Sequence, residues 1–262
     1  MTAAAPSRLA AFIDYGIGKT LAKAWANFLG RLPLPREAGA VTSRYGVRMR
    51  ANWRDRTFRY CYHATYGRAL SDYLAAQDQP FVFVDIGANQ GLYSLLAARN
   101  RHCAVAIAFE PVAATFALLG DNIALNGLDA KVRPVRAAVS LHSGIARIAT
   151  DQAHSGTASL RGTEPAEGEA ISILGIAGVD ALLEGTLPMI VKIDVEGHEE
   201  TVIDALMAST HRNRIAAIFY EVDERWIDAD AIAAQLRANG FTRFTRFGIG
   251  RHYDILAETP KI

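Results

Sequence analysis

The sequence has little cysteine, no long apolar run and no excess of charge. Its two cysteines, Cys61 and Cys103, form neither a disulfide framework nor a metal cluster, so a reducing, cytoplasmic environment is expected. No apolar run approaches the ~18 residues that span a bilayer. The first residues lack the basic region and apolar block of a signal peptide. A net charge of +1 gives no overall field that would attract nucleic acid, so no nucleic-acid partner is expected.

What is present is an ordinary globular composition, with 50% hydrophobic and 21% charged residues among 262. This length suffices for one α/β domain and an extension. We expect a helical extension over residues 1–40, a β-hairpin and covering helix over 41–80, and a ligand-binding α/β domain over 81–262.

Residues 8–30 carry apolar side chains at helical spacing, with an interruption near Gly16 and Gly18. The simplest interpretation is an amphipathic helix docked on the domain. Contact with a membrane surface, or with a second copy in a homo-oligomer, is the alternative.

Residues 41–63 alternate between apolar and polar side chains, which predicts a β-hairpin with its turn near Arg54–Arg56. Seven arginines and a single acid, Asp55, lie between Val41 and Arg68. Arginines among aromatic residues can bind RNA or a sugar, but a solvated hairpin face is the simpler explanation. A helix near residues 66–74 would place Tyr66 beside a ligand crevice, as a substrate contact.

The best-defined motif follows the run Phe81–Val84, whose apolar, β-branched and aromatic residues are typical of a buried strand. The turn Asp85-Ile-Gly-Ala-Asn-Gln-Gly91 comes next, and a helix begins after it. Gly87 and Gly91 allow a sharp turn and a close approach to a ligand, and Asn89 tolerates a left-handed conformation. This G-x-N-x-G spacing differs from the G-x-G-x-x-G of nicotinamide enzymes, which disfavours an NAD oxidoreductase.

Strand and helix patterns alternate from residue 81 onward, which predicts a mostly parallel sheet. The polar segment 140–170 is too long for a simple connection between two elements. Within it we expect a short hairpin arm at 145–148 and a binding loop at 154–160. Further strands are predicted at 104–110, 131–139, 189–194 and 215–221, with a terminal pair at 241–247 and 251–256.

Glu110 ends the second predicted strand, nineteen positions after Gly91. At that place in a nucleotide-binding sheet a carboxylate accepts hydrogen bonds from both ribose hydroxyls. The structural alternative is a carboxylate that caps the helix after Pro111.

Further acids end the next strands. Asp194 and Glu196 are two positions apart, and Glu221 ends the neighbouring strand. Such carboxylates could hold a cofactor's ammonium group, orient an acceptor hydroxyl or accept its proton. A salt bridge with Lys192 is the structural alternative.

Two histidines, His154 and His198, are candidate bases near these acids. The three carboxylates with His198 could also bind a divalent cation, although we predict no metal site.

Taken together, these blocks resemble the FkbM family of S-adenosylmethionine (SAM)-dependent methyltransferases. The residues that carry the resemblance are Asp85–Gly91, Phe109–Pro111, Asn122–Gly127, Ala137–Ala138, Ser155–Leu160, Val179–Asp180, Lys192–Gly197 and Tyr220–Glu221.

The resemblance implies a Rossmann-like class I methyltransferase, with a seven-stranded, mostly parallel sheet and helices on both faces. It implies methyl transfer from SAM to a hydroxyl of a sugar, polyketide or glycolipid, with S-adenosylhomocysteine as the product. The cofactor contacts that it implies are Asp85, Gly87, Asn89, Gly91 and Glu110. We further expect cofactor contacts from Ala88, Tyr93, Pro111, Ala138 and Asp194. The expected substrate contacts are Tyr66, Ser159 and Glu196, and the expected catalytic residues are Asp194, Glu196, Glu221, His198 and His154.

Two other functions stay open. The arginine-rich segment would suit an RNA methyltransferase, and a subunit that binds SAM without turnover would carry the same motif. The leading hypothesis is an O-methyltransferase acting on a small-molecule or glycan acceptor.

Overall fold

The computed structural model describes residues 18–31, 39–149, 155 and 168–260. None of the helices in these ranges has the length and apolar character needed to cross a bilayer. The helices are α1 (Gly18–Arg31), α2 (Arg56–His63), α3 (Ala69–Ala75), α4 (Leu92–Arg99), α5 (Ala113–Leu125), α6 (Ile176–Asp180), α7 (Glu199–Ala208) and α8 (Ala229–Ala238). The strands are β1 (Ala40–Thr42), β2 (Arg48–Arg50), β3 (Phe81–Ile86), β4 (Cys103–Phe109), β5 (Val132–Val135), β6 (Ala138–Val139), β7 (Gly144–Ile148), β8 (Glu169–Leu174), β9 (Met189–Ile193), β10 (Ile215–Asp223), β11 (Arg243–Phe247) and β12 (His252–Glu258).

The main sheet has seven strands in the order β11-β12-β10-β9-β3-β4-β5. Strands β3, β4, β5, β9 and β10 pair in parallel, as right-handed strand–helix–strand connections require. Strand β12 runs antiparallel to both of its neighbours. The strand order changes direction between β3 and β9, so the carboxyl ends of β3, β4, β9 and β10 surround a crevice.

Both faces of this sheet are covered, because β3 is buried throughout and alternates between two cores. Phe81 and Phe83 pack in the core that contains residues of α4 and α5. Val82 and Val84 pack in the opposite core, with residues of α7 and α8. The predicted fold class, a Rossmann-like sheet with helices on both faces, is confirmed.

The predicted third strand, 131–139, is wrong as a single element. Its first half is β5 in the main sheet, and its second half, β6, leaves to pair in parallel with β8. The predicted arm at 145–148 belongs to β7, which pairs antiparallel with β8. These three strands form a small second sheet, which rests on an apolar cluster of Val112, Ile148 and Ile171.

The predicted hairpin over residues 41–63 is also wrong beyond its first half. The hairpin joins β1 to β2, and its turn lies at Ser43–Val47 instead of Arg54–Arg56. Residues 56–63 form α2 because the side chain of Asp55 accepts a hydrogen bond from the backbone N–H of Thr57 and caps the helix. The alternating aromatic residues suit a helix as well, since Phe58 and Tyr62 are four apart and both contact Trp53.

Two asparagines, Asn122 of α5 and Asn126 just after this helix, attach the hairpin to the main domain. Asn122 accepts from the backbone N–H of Arg50 at 2.6 Å and donates to the carbonyl of Gln90 at 2.8 Å. Asn126 accepts from the backbone N–H of Arg48 at 3.0 Å and donates to its carbonyl at 2.7 Å. The exposed edge of β2 is thereby paired to a helix. The boundaries expected at residues 40 and 80 stay a prediction.

Candidate active site

The turn between β3 and α4 is left-handed at three positions, with φ of +76° at Gly87, +50° at Asn89 and +88° at Gly91. A Cβ atom on Gly87 would lie 1.9 Å from the carbonyl oxygen of Asp194, and one on Gly91 would lie 2.4 Å from the side chain of Leu119. Both glycines are therefore required by close packing as well as by backbone conformation.

Glu110, after β4, faces this turn. One carboxylate oxygen accepts from the backbone N–H of Asn89 at 3.0 Å, and the other accepts from the N–H of Val112 at 2.9 Å. The bond to Val112 is the helix-capping contact that the sequence analysis gives as the alternative to ribose binding. Burial raises the pKa of Glu110 to about 7, although both hydrogen bonds oppose that rise. Each oxygen keeps a lone pair that can accept from a ligand hydroxyl.

A buried ion pair supports the turn from below. Lys192 of β9 lies 3.2 Å from the carboxylate of Asp85 and donates to the carbonyl of Gly87 at 2.6 Å. Ser94 donates to the second oxygen of Asp85 at 2.7 Å. Burial alone would lower the pKa of Lys192, but Asp85 and Asp194 raise it, so this lysine is charged. Asp85 is completely buried beneath the turn, and it fixes Lys192 without lining the cavity.

The side chain of Asp55 is a second support for the turn. Its carboxylate is fully buried and caps α2, and it also accepts from the side-chain amide of Gln90. Ser155 donates to it twice, through the backbone N–H at 3.1 Å and the hydroxyl at 2.8 Å. The Ser155 hydroxyl also lies 3.1 Å from the side-chain oxygen of Asn89. One carboxylate therefore ties together a helix, the turn and a residue far along the chain.

Carboxylates gather at the other end of the crevice. Side-chain oxygens of Asp194, Glu196 and Glu221 lie within 4.8 Å of one another. Burial raises the pKa of Glu196 to about 9, and the neighbouring Asp194 and Glu221 add to that rise. Burial and the charge of Asp194 also raise the pKa of Glu221, although the contact with His252 opposes that rise. At neutral pH the cluster therefore retains a proton, through which it can donate a hydrogen bond.

The backbone at this cluster is held in an uncommon conformation. Glu196 has a φ of +54°, and Gly197 follows with +98°. Glu199 accepts from the backbone N–H groups of Val195 and Gly197 at 3.0 and 2.9 Å, and so holds the segment in place. Non-glycine residues in this region are strained, and such strain is concentrated at functional sites.

A histidine that the sequence analysis did not select completes this end. The Nε2 atom of His252, at the start of β12, lies 2.6 Å from a carboxylate oxygen of Glu221. Antiparallel pairing of β10 with β12 brings the two residues together. A carboxylate bonded to an imidazole can fix the tautomer of the ring and stabilise its charged form, as in acid–base catalysis.

These groups surround one cavity of about 300 Å³. Of the predicted residues, Asp85 and Gly91 lie outside its lining, and His154 and Ser159 fall outside the described residues. The cavity brings together the predicted residues Tyr66, Gly87, Ala88, Asn89, Tyr93, Glu110, Pro111, Ala138, Asp194, Glu196, His198 and Glu221.

His198 lines this cavity, and its Nε2 atom is 3.3 Å from the hydroxyl of Ser140. Burial lowers its pKa, so the ring is neutral at physiological pH. Tyr66 and Tyr93 also line the cavity, and burial raises the pKa of both phenols, which keeps them neutral donors.

The lining residues that the sequence did not predict include four polar ones: Lys23, Gln90, Ser155 and His252. Gln90 and Ser155 lie inside the motifs Asp85–Gly91 and Ser155–Leu160, and those motifs are the sequence signal that could have identified them. Lys23 and His252 stand in an extension and a terminal strand, where no local pattern distinguishes them.

Comparison with known proteins now decides the family. The family model described as the methyltransferase FkbM domain matches residues 85–243, more than half of the chain. The chain belongs to the FkbM methyltransferase family. The match begins at the turn residue Asp85 and includes Glu110, the acidic cluster and strand β10. The resemblance stated from the sequence is confirmed, and so is methyl transfer as the class of activity.

The fold is shared with a solved structure. The METTL16 methyltransferase domain is similar at 14% identity and a TM-score of 0.51, over 93% of this FkbM-family chain and 81% of that one. TrmK of M. capricolum, in complex with S-adenosyl-homocysteine, has 11% identity and a TM-score of 0.45, over 73% and 68% of the two chains. At 14% identity the likeness to the METTL16 domain concerns the fold alone. No curated protein matches the sequence significantly.

Proposed function

We propose that this FkbM-family protein transfers the methyl group of SAM to a hydroxyl oxygen of a carbohydrate or similar polyhydroxylated metabolite. The observation that carries the proposal is the Glu221–His252 pair, which lies in the same cavity as the Asn89–Glu110 turn. A hydroxyl must lose its proton during methyl transfer, and a histidine oriented by a carboxylate can accept it.

The turn end of the cavity suits SAM. Glu110 offers lone pairs to the ribose hydroxyls, and Asp194 offers a carboxylate to the ammonium group. Gln90 is 1% exposed, and its side-chain oxygen has no hydrogen-bond partner among the described residues. A buried acceptor without a partner is expected to receive a donor from a ligand, such as the adenine amine. When bound, SAM would supply an electrophilic methyl group.

The acidic end suits the acceptor. Neutral Glu196 donates a hydrogen bond, and the carboxylate of Asp194 accepts one, so vicinal hydroxyls of a sugar find partners of both kinds. Tyr66 and Tyr93 add aromatic faces and neutral hydroxyl donors to the same cavity. We assign the acids to orienting the acceptor and to proton transfer. We assign His252 to accepting the proton of the acceptor hydroxyl. Placing the acceptor oxygen in line with the methyl group would supply much of the rate enhancement.

The test is methyl transfer from isotopically labelled SAM to a panel of sugars and glycosylated metabolites. His252→Gln should lower kcat about 10²- to 10⁴-fold, the usual contribution of a general base. Its SAM affinity by calorimetry should be unchanged, since His252 lies at the acceptor end. His102→Gln is the matched control. His102 directly precedes β4, at the amino ends of the parallel strands and therefore opposite the cavity.

Three results would contradict the proposal. Full activity of His252→Gln would move proton acceptance to another residue. A labelled methyl group found on nitrogen or carbon would exclude O-methylation. Failure of the wild-type protein to bind SAM would remove the cofactor assignment.

A further inference from the structure

The outward face of α1 exposes three large apolar side chains. Leu21, Trp25 and Phe28 are 64%, 57% and 51% exposed, and the Trp25 and Phe28 rings stack at 5.6 Å between centroids. Side chains rotate by about 100° per residue along a helix, so these three positions share one side. Single exposed apolar residues are ordinary, but a contiguous group of large ones marks a contact surface.

The opposite face of α1 belongs to the active site. Lys23 lines the cavity, with its ammonium nitrogen 5.3 Å from the centre of the Tyr60 ring and 5.5 Å from that of Tyr66. Ala26 is buried, and Asn27 donates to the Tyr60 hydroxyl at 2.9 Å. Whatever covers the outward face of α1 therefore lies beside the wall of the cavity.

The surface next to α1 is basic. The segment 41–68 carries seven arginines, and its one acid, Asp55, is completely buried. Arg44, Arg54 and Arg56 are exposed, and none of them pairs with a carboxylate of any described residue. Helix α1 packs against α2, which begins at Arg56. The sequence of α1 itself contains two lysines and an arginine but no acid.

We propose that α1 docks on an anionic membrane surface, with Leu21, Trp25 and Phe28 inserted at the headgroup boundary and Arg44, Arg54 and Arg56 facing the lipid phosphates. Aromatic and apolar side chains beside basic residues are the combination that such surfaces bind. A symmetric dimer through this face would bring two basic surfaces together, and RNA alone would leave the apolar face uncovered. Docking would place the cavity beside the headgroup layer, so the methylated hydroxyl would belong to a membrane-anchored acceptor. That last step rests on the proposed function, whereas docking does not.

Vesicle flotation tests the docking without SAM or turnover. Wild-type protein should float with phosphatidylcholine vesicles that contain about 30 mol% phosphatidylglycerol, and much less with phosphatidylcholine alone. The combined variant Leu21→Ser, Trp25→Ser and Phe28→Ser should lose at least about tenfold in partitioning. The control is Ile145→Ser, since Ile145 is 79% exposed on β7 and should not affect binding.

The arginines have their own variant, Arg44→Gln, Arg54→Gln and Arg56→Gln. It should bind anionic vesicles more weakly and lose the salt sensitivity of wild-type binding. Unchanged unfolding temperatures of both variants would show that they are folded, as expected for exposed side chains.

Several results would overturn the proposal. The proposal is wrong if the wild-type protein floats with neither kind of vesicle. It is also wrong if the control Ile145→Ser loses as much vesicle binding as the apolar triple variant. A wild-type dimer that the apolar triple variant converts to monomer, without vesicle binding, would assign the face to a second copy. RNA binding that depends on the three arginines, without vesicle binding, would assign the basic surface to nucleic acid.

Discussion

Gly87 shows how a single position can combine two requirements. Its φ of +76° disfavours any side chain, and a Cβ atom there would overlap the backbone of Asp194. The sequence motif predicts the first requirement, because glycine is the usual residue at such a turn. The second depends on how closely β9 follows β3, which only the folded structure shows.

Gly87→Ala should therefore cost much more than its conformation alone explains. The matched control is Gly127→Ala, because Gly127 has a φ of +64° and an added Cβ would meet nothing within 4 Å. We expect the free energy of unfolding to fall by about 3 kcal/mol or more for Gly87→Ala. For Gly127→Ala the expected loss is about 1 kcal/mol. Urea unfolding measures both, and equal losses would show that the contact with Asp194 is relaxed in solution.

At the scale of elements, α2 illustrates why the local sequence pattern was insufficient to distinguish a helix from a strand. Its aromatic residues fit both a strand and a helix, since positions 58, 60 and 62 alternate while positions 58 and 62 also share a helix face. The capping bond of Asp55 and the packing of Trp53 decide for the helix. The same Asp55 then orders the turn through Gln90 and reaches Ser155.

Asp55→Ala tests whether this cap also serves the site. It removes a helix cap, worth about 1 kcal/mol. It also leaves buried donors unsatisfied, which adds about 1–3 kcal/mol. We expect a loss of stability larger than a cap alone provides, together with weaker SAM binding because Gln90 and Asn89 lose their support.

The control for Asp55→Ala is Asp228→Ala. Asp228 caps α8 in the same manner, but it is exposed and lies away from the cavity. Its variant should lose only about 1 kcal/mol and bind SAM normally. Thermal unfolding and calorimetry measure the two effects, and normal SAM affinity of Asp55→Ala would limit this residue to helix capping.

At the scale of the whole molecule, buried acids concentrate at one edge of the sheet. Burial raises the pKa of Glu110 and Glu199 to about 7 and that of Glu196 to about 9. An acid with a raised pKa keeps its proton in the folded state at pH values at which it has already lost it in the unfolded state. The folded protein therefore binds more protons above about pH 4.5, and its stability falls as the pH rises toward those folded-state pKa values.

Glu196→Gln should flatten this dependence, because the amide mimics the neutral acid. The variant and the wild type should have similar unfolding temperatures near pH 4.5, and the variant should become more stable as the pH rises to about 9. Scanning calorimetry over this range measures the difference. Glu200→Gln, an exposed change in helix α7 just after this segment, is the control. Parallel curves for wild type and Glu196→Gln would show that Glu196 is ionised in the folded protein.

The sequence by itself determined the parallel sheet, the turn after its first strand and the acids at its carboxyl edge. These features depend on local periodicity and on residues whose backbone preferences are strong, so neighbouring positions carry the information. Tertiary structure alone decided that His252 meets Glu221, that Lys23 enters the cavity and that one strand divides between two sheets. Strand register and helix docking set those contacts, and they join residues whose separation along the chain leaves no repeating pattern to read.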